Sequence, residues 1–232
     1  MVLKKFFLTG GSGRLGQELQ KISGEKGIEI IAPDSKWCNI TNEYQIKNKI
    51  EASGCDVVVH AAAFTDVKGA ESDPSLAWDV NVLGTLNVLK ACKLLRKKLI
   101  YISTDYVFDG EKGKYKICDP INPLSKYAKT KASGELLVRT YDESLIIRTS
   151  FYGHDFPYDA AFTDQWTSKS YVDVIAPKIL EKILENPHGI SHVGVERRTV
   201  YDIARERKKD VKGMSRNDIS INVPYDTSFD LN

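Results

Sequence analysis

The sequence predicts an α/β fold in which a parallel β-sheet carries helices on both faces. Short, almost wholly apolar runs recur along the first 150 residues, and segments with helical periodicity separate them. Apolar strands that alternate with helices are typical of a parallel sheet, because the crossover helices cover both of its faces. Since such crossovers are nearly always right-handed, we expect the sheet to be doubly wound. A glycine-rich turn directly after the first apolar run indicates the same architecture.

The predicted elements alternate regularly along the first part of the chain. The strands are 4–9, 28–32, 56–60, 99–103 and 145–148, and the helices open near 17, run over 42–52 and about 74–95, and include 127–131. Beyond residue 150 we expect a helix after residue 171 and a strand over 192–199 that runs into a last helix. Thr199 and Asp202 have the spacing of a capping box for that last helix.

The turn from Gly10 to Gly16 has the spacing G-x-x-G-x-x-G and lies between a predicted strand and a predicted helix. This is the context in which glycines bind a dinucleotide. One glycine makes the turn, one lets the backbone approach the pyrophosphate, and one lets the helix pack on the strand. The amides and the positive end of the helix would hold the phosphates. The alternative is an ordinary glycine-rich connection between a strand and a helix.

Tyr127 and Lys131 form a Y-x-x-x-K pair downstream of this turn. Residues four apart on a helix share a face, so we expect the Lys131 ammonium to favour the ionised form of the Tyr127 phenol. A tyrosine whose pKa is lowered in this way can act as a general acid. Such a pair also occurs as a plain surface contact, and the glycine turn upstream is what favours the catalytic interpretation.

At this point the chain resembles the extended short-chain dehydrogenases/reductases, and within them the dTDP-4-dehydrorhamnose reductase type. The resemblance runs in order over about two thirds of the chain. It rests on the segments 9–16 (TGGSGRLG), 60–66 (HAAAFTD), 81–85 (NVLGT), 103–110 (STDYVFDG), 122–131 (NPLSKYAKTK) and 148–153 (RTSFYG). The block STDYVF followed by PLxxYxxxK is specific for members that act on nucleotide sugars.

The resemblance implies reduction of a 4-keto-6-deoxy nucleotide sugar by NADP or NAD. It implies a Rossmann-type doubly wound sheet over residues 1–150 and a small C-terminal substrate lobe over 151–232, partly interleaved with the first domain. The implied catalytic residues are Thr104, Tyr127 and Lys131. The implied cofactor contacts are Gly10, Gly13, Arg14, Leu15, Asn39, Ile40, Ala61, Ala62 and Ala63, together with Tyr127 and Lys131. The implied substrate contacts are Ser103, Asp105, Phe151, Tyr152 and Arg197, and Asn81 would help to order the active-site helix.

The choice between NAD and NADP stays open on sequence grounds. Asp34 lies eighteen residues beyond Gly16, near the place where an acidic residue binds the ribose 2′-hydroxyl of NAD. Arg14 and Lys36 would instead neutralise the 2′-phosphate of NADP. The sequence favours neither interpretation.

Two alternatives to a reductase also stay open. The first is an epimerase or dehydratase of the same family, which would recycle the hydride. The second is a catalytically silent NAD(P)-binding regulatory subunit, which fold alone does not exclude. Only about eighty residues follow Tyr152, fewer than in typical reductases of this type, so the identity of the sugar is the weakest part of the prediction.

Composition excludes several classes of function. A chain of 232 residues that is 42% hydrophobic can bury one core, and a net charge of +2 gives no reason to expect nucleic acid. The four cysteines and four histidines lack the spacing of a metal or redox site, so we expect reduced thiols, no metal and a cytoplasmic location. We expect no signal peptide and no membrane partner. Homodimerisation stays open.

Overall fold

A parallel sheet of six strands lies at the centre of the computed structural model, which describes residues 4–218 and 223–231. In chain order the strands are β1 (Lys4–Thr9), β2 (Ile28–Ile31), β3 (Val57–His60), β4 (Lys98–Thr104), β5 (Ser144–Thr149), β6 (Phe151–Tyr152), β7 (Ala160–Phe162), β8 (Trp166–Thr167), β9 (Ser170–Tyr171), β10 (Gly189–His192), β11 (Arg198–Thr199) and β12 (Lys212–Met214). The helices are α1 (Arg14–Ser23), α2 (Glu43–Ser53), α3 (Val67–Ser72), α4 (Pro74–Trp78), α5 (Thr85–Leu95), α6 (Lys126–Val138), α7 (Val172–Glu185) and α8 (Val200–Arg207).

The central sheet has the order β2-β1-β3-β4-β5-β10, and every neighbouring pair is parallel. The predicted α/β class with a Rossmann-type doubly wound sheet is therefore confirmed. All five strands predicted in the first part of the chain are present, with bounds shifted by at most a few residues. Two core clusters cover the two faces of the sheet, and neighbouring strand residues divide between them. Phe6 and Leu8 pack with α1 and α7, whereas Phe7 packs with α2 and α5.

The C-terminal part of the chain contributes both to the sheet and to a small lobe. Strand β10 extends the sheet beside β5, and α7 packs against α1. The short strands pair in twos beyond the carboxyl edge, as β6 with β9, β7 with β12 and β8 with β11. The division into domains 1–150 and 151–232 stays a prediction.

The strand predicted over 192–199 is wrong in its bounds. The sheet strand β10 ends at His192, and the chain then leaves the sheet. The amide of Val193 donates to the Arg148 carbonyl, and that of Val195 donates to the Ser168 carbonyl in the lobe. Both valines pack against the core, which explains their apolar character without a continuous strand. The capping box at the start of α8 is confirmed, because Thr199 and Asp202 exchange the expected hydrogen bonds.

The helix predicted over about 74–95 is interrupted by a π-helical turn, Asp79–Gly84, between α4 and α5. Such turns are rare and frequently lie at functional sites. Here the turn places Asn81 against the backbone of Phe64, to which its amide side chain both donates and accepts a hydrogen bond. A third hydrogen bond joins Asn81 to the Thr130 hydroxyl on α6. The turn therefore links the loop after β3 to the helix that carries Tyr127.

A buried ion pair fixes α6 against the sheet. Glu135 on α6 and Arg148 on β5 are both 0% exposed, and the guanidinium Nη2 lies 2.7 Å from the carboxylate. The same carboxylate accepts hydrogen bonds from Ser103 and Arg139. Burial acts to raise the pKa of Glu135, but these donors outweigh it, and the pKa lies below its usual value.

Replacing Glu135 with glutamine should lower the free energy of unfolding by about 3–5 kcal/mol, because Arg148 would stay buried without its counter-charge. Chemical denaturation followed by circular dichroism measures this loss. Since the Glu135 pKa is depressed in the folded state, the contribution of the pair is present above the unfolded pKa. It should disappear as the pH falls through the folded value.

The matched control is Glu51→Gln on α2, which breaks the exposed pair with Lys47 and should cost less than about 1 kcal/mol. The double variant Glu135→Leu/Arg148→Met should lose less free energy of unfolding than the sum of the losses in Glu135→Leu and Arg148→Met, because neither charge is left alone. Equal stability of Glu135→Gln and wild type would show that the pair does not hold α6.

Candidate active site

The glycine-rich turn joins β1 to α1 at the carboxyl edge of the sheet. Gly10 has a φ of +76°, and a Cβ atom there would lie 2.6 Å from the backbone nitrogen of Ala62. A Cβ atom on Gly16 would lie 2.3 Å from the Gly10 carbonyl oxygen. Packing therefore requires glycine at both positions, whereas a Cβ atom on Gly13 would meet only that oxygen, at 3.2 Å. The first N–H groups of α1 have no partner within the helix and are available to a phosphate.

The end of β5 offers a second polar position at the same edge. The Thr149 hydroxyl is buried and has no hydrogen-bond partner among the residues that the structure describes. Thr149 is the register partner of Thr104 on β4, so the two residues end neighbouring strands at the same level of the sheet. A glycine cradle for phosphates and an unsatisfied hydroxyl beside Thr104 together fit a nicotinamide dinucleotide.

The residues predicted to contact a cofactor surround this cradle. Gly10 and Gly13 form it, and Ala61, Ala62 and Ala63 follow β3 immediately beside it. The Leu15 side chain is buried in the core, so only its backbone faces the cradle. The exposed Arg14 side chain lies against Gly153, where the lobe begins.

The Asn39 and Ile40 pair lies in the loop that follows β2. The Asn39 side-chain oxygen accepts hydrogen bonds from the amide and hydroxyl of Thr41, which holds the loop in shape. Ile40 is buried under the π-helical turn, and its carbonyl accepts a hydrogen bond from Asn87. Asn39 is exposed beside it. The contact of these two residues with an adenine stays a prediction.

Thr104 and Tyr127 meet at the end of β4 and the start of α6. The Thr104 hydroxyl donates to Asp105 at 3.2 Å and accepts from the Tyr106 amide at 3.2 Å. Burial raises the pKa of Tyr127 above its ordinary value, and Asp105 raises it further, while Thr104 and Lys169 act in the opposite direction. The Tyr127 phenol therefore carries its proton at neutral pH, as a general acid must.

Lys131 lies one turn further along the same helix. Its ammonium donates to the Ile102 carbonyl at 2.8 Å and lies 4.2 Å from the centre of the Tyr101 ring. Burial lowers the pKa of Lys131 to about 7, although Glu135 acts to raise it. Burial is the main reason why the Tyr127 pKa lies above its ordinary value, and the expectation that Lys131 lowers it stays a prediction. The contact of Lys131 with a ribose stays a prediction.

Ser103 and Asp105 do not face a substrate as predicted. Ser103 is buried and donates its hydroxyl to Glu135 at 2.8 Å, on the α6 side of the strand. Asp105 is 2% exposed, and its second oxygen accepts from Thr227 at 2.8 Å and from Thr167 at 3.4 Å. Because Thr104 donates to the first oxygen, the Asp105 carboxylate accepts hydrogen bonds from three hydroxyls. Ser103 is thus part of the helix anchor, and Asp105 positions Thr104.

The last described residues of the chain form part of the site. Thr227 reaches Asp105, and the neighbouring Asp226 accepts a hydrogen bond from the Arg197 Nε at 2.7 Å. The Arg197 guanidinium lies 3.7 Å from the centre of the Trp166 ring. Arg197, predicted as a substrate contact, is therefore held by the tail and by β8 and stays partly exposed. Sequence reasoning missed Thr167 and Thr227, for which no local motif exists.

The predicted substrate residues Phe151 and Tyr152 form β6, directly after β5. Phe151 is half-buried and packs against the core cluster on the α7 side of the sheet. Tyr152 faces the lobe, where its ring lies 4.7 Å from the Lys169 ammonium, and burial raises its pKa to about 12. Lys169 also lies over the Tyr106 ring at 5.6 Å. The sequence analysis assigned no role to Lys169, which lies three residues before the predicted helix.

Free cysteines, clustered histidines and long apolar helices are the features that would mark other kinds of site. Cys38, Cys55, Cys92 and Cys118 are free thiols. His60 is buried between two threonine hydroxyls, and burial lowers its pKa to about 3, so it stays neutral. Within residues 4–218 and 223–231, no group of three or more His, Cys, Asp or Glu side chains could hold a metal ion. No helix in this part is long and apolar enough to cross a membrane.

Comparison with known families gives one match that covers most of the chain. The family described as "RmlD substrate binding domain" matches residues 4–180. A dTDP-4-dehydrorhamnose reductase from Aggregatibacter actinomycetemcomitans is 39% identical over 161 residues, which are 66% of this chain and 55% of that protein. The chain thus spans little more than half the length of that relative. The spore coat polysaccharide biosynthesis protein SpsK of Bacillus subtilis is 33% identical over 208 residues, or 82% of this chain and 73% of that protein.

Solved structures give the same result for the fold. The crystal structure of dTDP-4-dehydrorhamnose reductase from Bacillus anthracis in complex with NADP superposes with a TM-score of 0.90 at 27% identity. The superposition covers 100% of this chain and 92% of that chain. The shared architecture therefore extends over the C-terminal lobe as well as the sheet.

Replacing Gly13 with valine should abolish nicotinamide dinucleotide binding and leave the fold intact. Gly13 has φ −75° and ψ 165°, an extended conformation that valine adopts readily, but the added methyl groups would stand where a phosphate approaches. Calorimetric titration with NADPH and NADH measures the affinity, and thermal unfolding reports on the fold.

The control variant is Gly24→Val, because Gly24 also has a negative φ and nothing lies within 4 Å of an added Cβ atom. It should bind both cofactors like the wild type. A Gly13→Val protein that binds with unchanged affinity would remove the turn from the cofactor site.

Proposed function

The chain belongs to the RmlD substrate binding domain family, of the extended short-chain dehydrogenases/reductases, and we propose that it reduces a 4-keto-6-deoxy nucleotide sugar with NAD(P)H. One observation carries this proposal. Thr104 and the protonated phenol of Tyr127 lie together at the end of β4, beside a glycine cradle that fits a dinucleotide. A silent regulatory subunit would have no need for this combination.

The residues of the chain provide the proton that a carbonyl reduction needs. A bound nicotinamide would supply the hydride to the carbonyl carbon. Tyr127 then gives its phenolic proton to the carbonyl oxygen as negative charge develops there, which leaves a phenolate that solvent reprotonates. The Thr104 hydroxyl, held by Asp105, lies next to this oxygen and would turn to donate a hydrogen bond to it. Lys131 would contact a ribose of the bound cofactor.

The lobe contributes an aromatic wall that suits a deoxysugar. Tyr106, Tyr152 and Tyr158 lie around Lys169 on the side of the site away from the cradle. Rings of this kind offer an apolar face to a sugar and a hydroxyl to its polar groups. Phe151 is half-buried and Arg197 is partly exposed, so both side chains keep surface that a substrate could contact. These contacts support a nucleotide sugar as substrate, and a homodimer and a cytoplasmic location stay predictions.

The direct test is to incubate the purified protein with NADPH or NADH and a panel of 4-keto-6-deoxy nucleotide sugars, while following the absorbance of the reduced cofactor. A reductase consumes one reduced cofactor for each sugar converted. An epimerase or dehydratase would convert the sugar with no net consumption. Binding of cofactor without conversion of any sugar would favour the regulatory alternative.

Replacing Tyr127 with phenylalanine should lower the hydride-transfer rate by a factor of about 10² or more, because only the transferable proton is removed. Cofactor affinity should stay within about twofold, since the ring remains in place. Single-turnover oxidation of NADPH measures the rate. Tyr44→Phe, at a tyrosine that is 81% exposed, is the matched control. A Tyr127→Phe protein with the wild-type rate would disprove the acid role.

We further propose that NADPH is preferred over NADH. One oxygen of Asp34 already accepts hydrogen bonds from the amides of Lys36 and Trp37, at 2.9 and 3.0 Å, so that this carboxylate caps its own loop. Arg14 and Lys36 are exposed, and neither has a carboxylate within 4.0 Å among the described residues. Unpaired cations at the glycine turn and in the loop after β2 favour a 2′-phosphate.

The double variant Arg14→Ala/Lys36→Ala should weaken NADPH binding by about tenfold or more, because charge-assisted hydrogen bonds contribute roughly 1.5–3 kcal/mol. NADH binding should change little. Calorimetric titration with both cofactors measures the ratio of the NADPH and NADH affinities. The control is Lys26→Ala, at another exposed lysine. Tighter binding of NADH by the wild type would contradict this preference.

A further inference from the structure

His60, at the end of β3, is buried in the interior, and no step of the proposed reduction uses it. It is 1% exposed, and both of its ring nitrogens have a hydroxyl partner. The Nδ1 atom lies 2.7 Å from the Thr9 hydroxyl on β1, and the Nε2 atom lies 3.0 Å from the Thr85 hydroxyl at the start of α5. These threonines lie 51 and 25 positions away along the chain, so His60 joins three separate elements.

The partners of the two hydroxyls determine which nitrogen of His60 carries the proton. Thr85 donates its only hydroxyl proton to the Asn81 carbonyl at 2.8 Å, so its oxygen accepts from His60. Nε2 is therefore the protonated nitrogen of the neutral ring, and Nδ1 accepts the proton of Thr9. The Thr9 oxygen in turn accepts from the Ala62 amide at 3.3 Å. These hydrogen bonds all point the same way, from the loop after β3 to the π-helical turn.

The chain of hydrogen bonds continues from the π-helical turn to the helix of Tyr127. The Asn81 side-chain amide donates to the Thr130 hydroxyl at 3.0 Å, and Thr130 donates to the Tyr127 carbonyl at 2.8 Å. Asn81 and Thr130 are both buried, so solvent does not compete for these hydrogen bonds. The direction of donation is again the same, and the chain ends on the backbone of the residue that donates the proton.

A second path leads from His60 to the same helix through Tyr101 on β4. The rings of His60 and Tyr101 pack with their centres 5.7 Å apart. Tyr101 is 0% exposed, and its hydroxyl donates to the Lys131 carbonyl at 3.1 Å. The contacts of His60 therefore lead to two carbonyls of α6 that lie one turn apart, those of Tyr127 and Lys131.

We propose that His60 is a positioning residue, which holds the π-helical turn and α6 on the strand that leads into the glycine cradle and so keeps the Tyr127 phenol in place for proton transfer. The proposal rests on the proposed reductase function. Thr9 directly precedes Gly10, so the anchor of the chain lies next to the cofactor position. A misplacement of about 1 Å can cost a factor of about 10² in rate, even when it arises far from the reacting atoms. Hydrogen bonds that point the same way polarise one another, which favours the intact chain over separate pairs.

The first test compares Thr85→Val with Thr85→Ser in single-turnover and steady-state assays. Valine has nearly the shape of threonine but breaks the chain beside His60, so kcat should fall by a factor of about 10 to 10². KM for the nucleotide sugar and NADPH affinity should stay near the wild-type values. Serine keeps the hydroxyl and should restore most of the rate. If Thr85→Val does not fold, Thr9→Val breaks the chain on the other side of the ring and should lower kcat in the same way.

The matched control is Ser144→Ala, which removes a buried hydroxyl outside the chain. Ser144 is 3% exposed and donates to the Val138 carbonyl at 3.2 Å. Its loss should lower the melting temperature and leave kcat unchanged.

Three results would overturn the proposal. Thr85→Val with the wild-type kcat would show that the chain does not position Tyr127. A lower melting temperature with unchanged kinetics would show that His60 only stabilises the core. Weaker NADPH binding with unchanged kcat would show that the chain serves the cradle alone.

A second test needs no substrate, so it stands even if no sugar of the panel is converted. Fluorotyrosine placed at position 127 gives a fluorine NMR signal that depends on the surroundings of the ring. Thr85→Val should shift this signal, whereas Thr85→Ser and Ser144→Ala should leave it near its wild-type position. Nitrogen NMR of the wild type should show the His60 proton on Nε2. Identical fluorine spectra in all four proteins, or a proton on Nδ1, would overturn the proposal.

Discussion

The geometry of the site depends on the buried pair between Glu135 and Arg148. Tyr127, Lys131 and Glu135 are four residues apart in turn, so they share one face of α6. Anchoring Glu135 to β5 sets the rotation of that face, and thereby the direction in which Lys131 and Tyr127 project. A buried ion pair is a weak source of stability when compared with apolar packing, but it defines one arrangement, because separating its partners would leave the Arg148 charge buried without a carboxylate.

Asp105 is the second point on which the site depends, and it joins distant parts of the chain. Its carboxylate accepts hydroxyl hydrogen bonds from its neighbour Thr104, from Thr167 in the lobe and from Thr227 in the tail. A carboxylate that is 2% exposed needs such donors, since a buried polar group without hydrogen-bond partners costs free energy. The lobe and the tail therefore do more than close over the sheet, because they determine where the Thr104 hydroxyl points.

Local patterns predicted most of the fold and about half of the site. The five strands, the glycine turn, the capping box and the helix of Tyr127 are each specified by neighbouring residues, so the sequence shows them directly. The partners of Asp105 are not, because the Thr227 contact joins residues 122 positions apart. One error was avoidable: adjacent side chains of a strand point to opposite faces, so a catalytic Thr104 places Ser103 on the α6 side.

The two lysines of the site differ in how their charge responds to burial. Lys131 is 4% exposed beneath the helix, and burial brings its pKa to about 7, so its charge at neutral pH is partial. Lys169 is surrounded by phenols and faces Asp105, and these groups raise its pKa in spite of burial, so it stays charged. The lobe thus contributes a charged side chain over the Tyr106 and Tyr152 rings, whereas the ammonium of the α6 lysine is bound to the Ile102 carbonyl of β4.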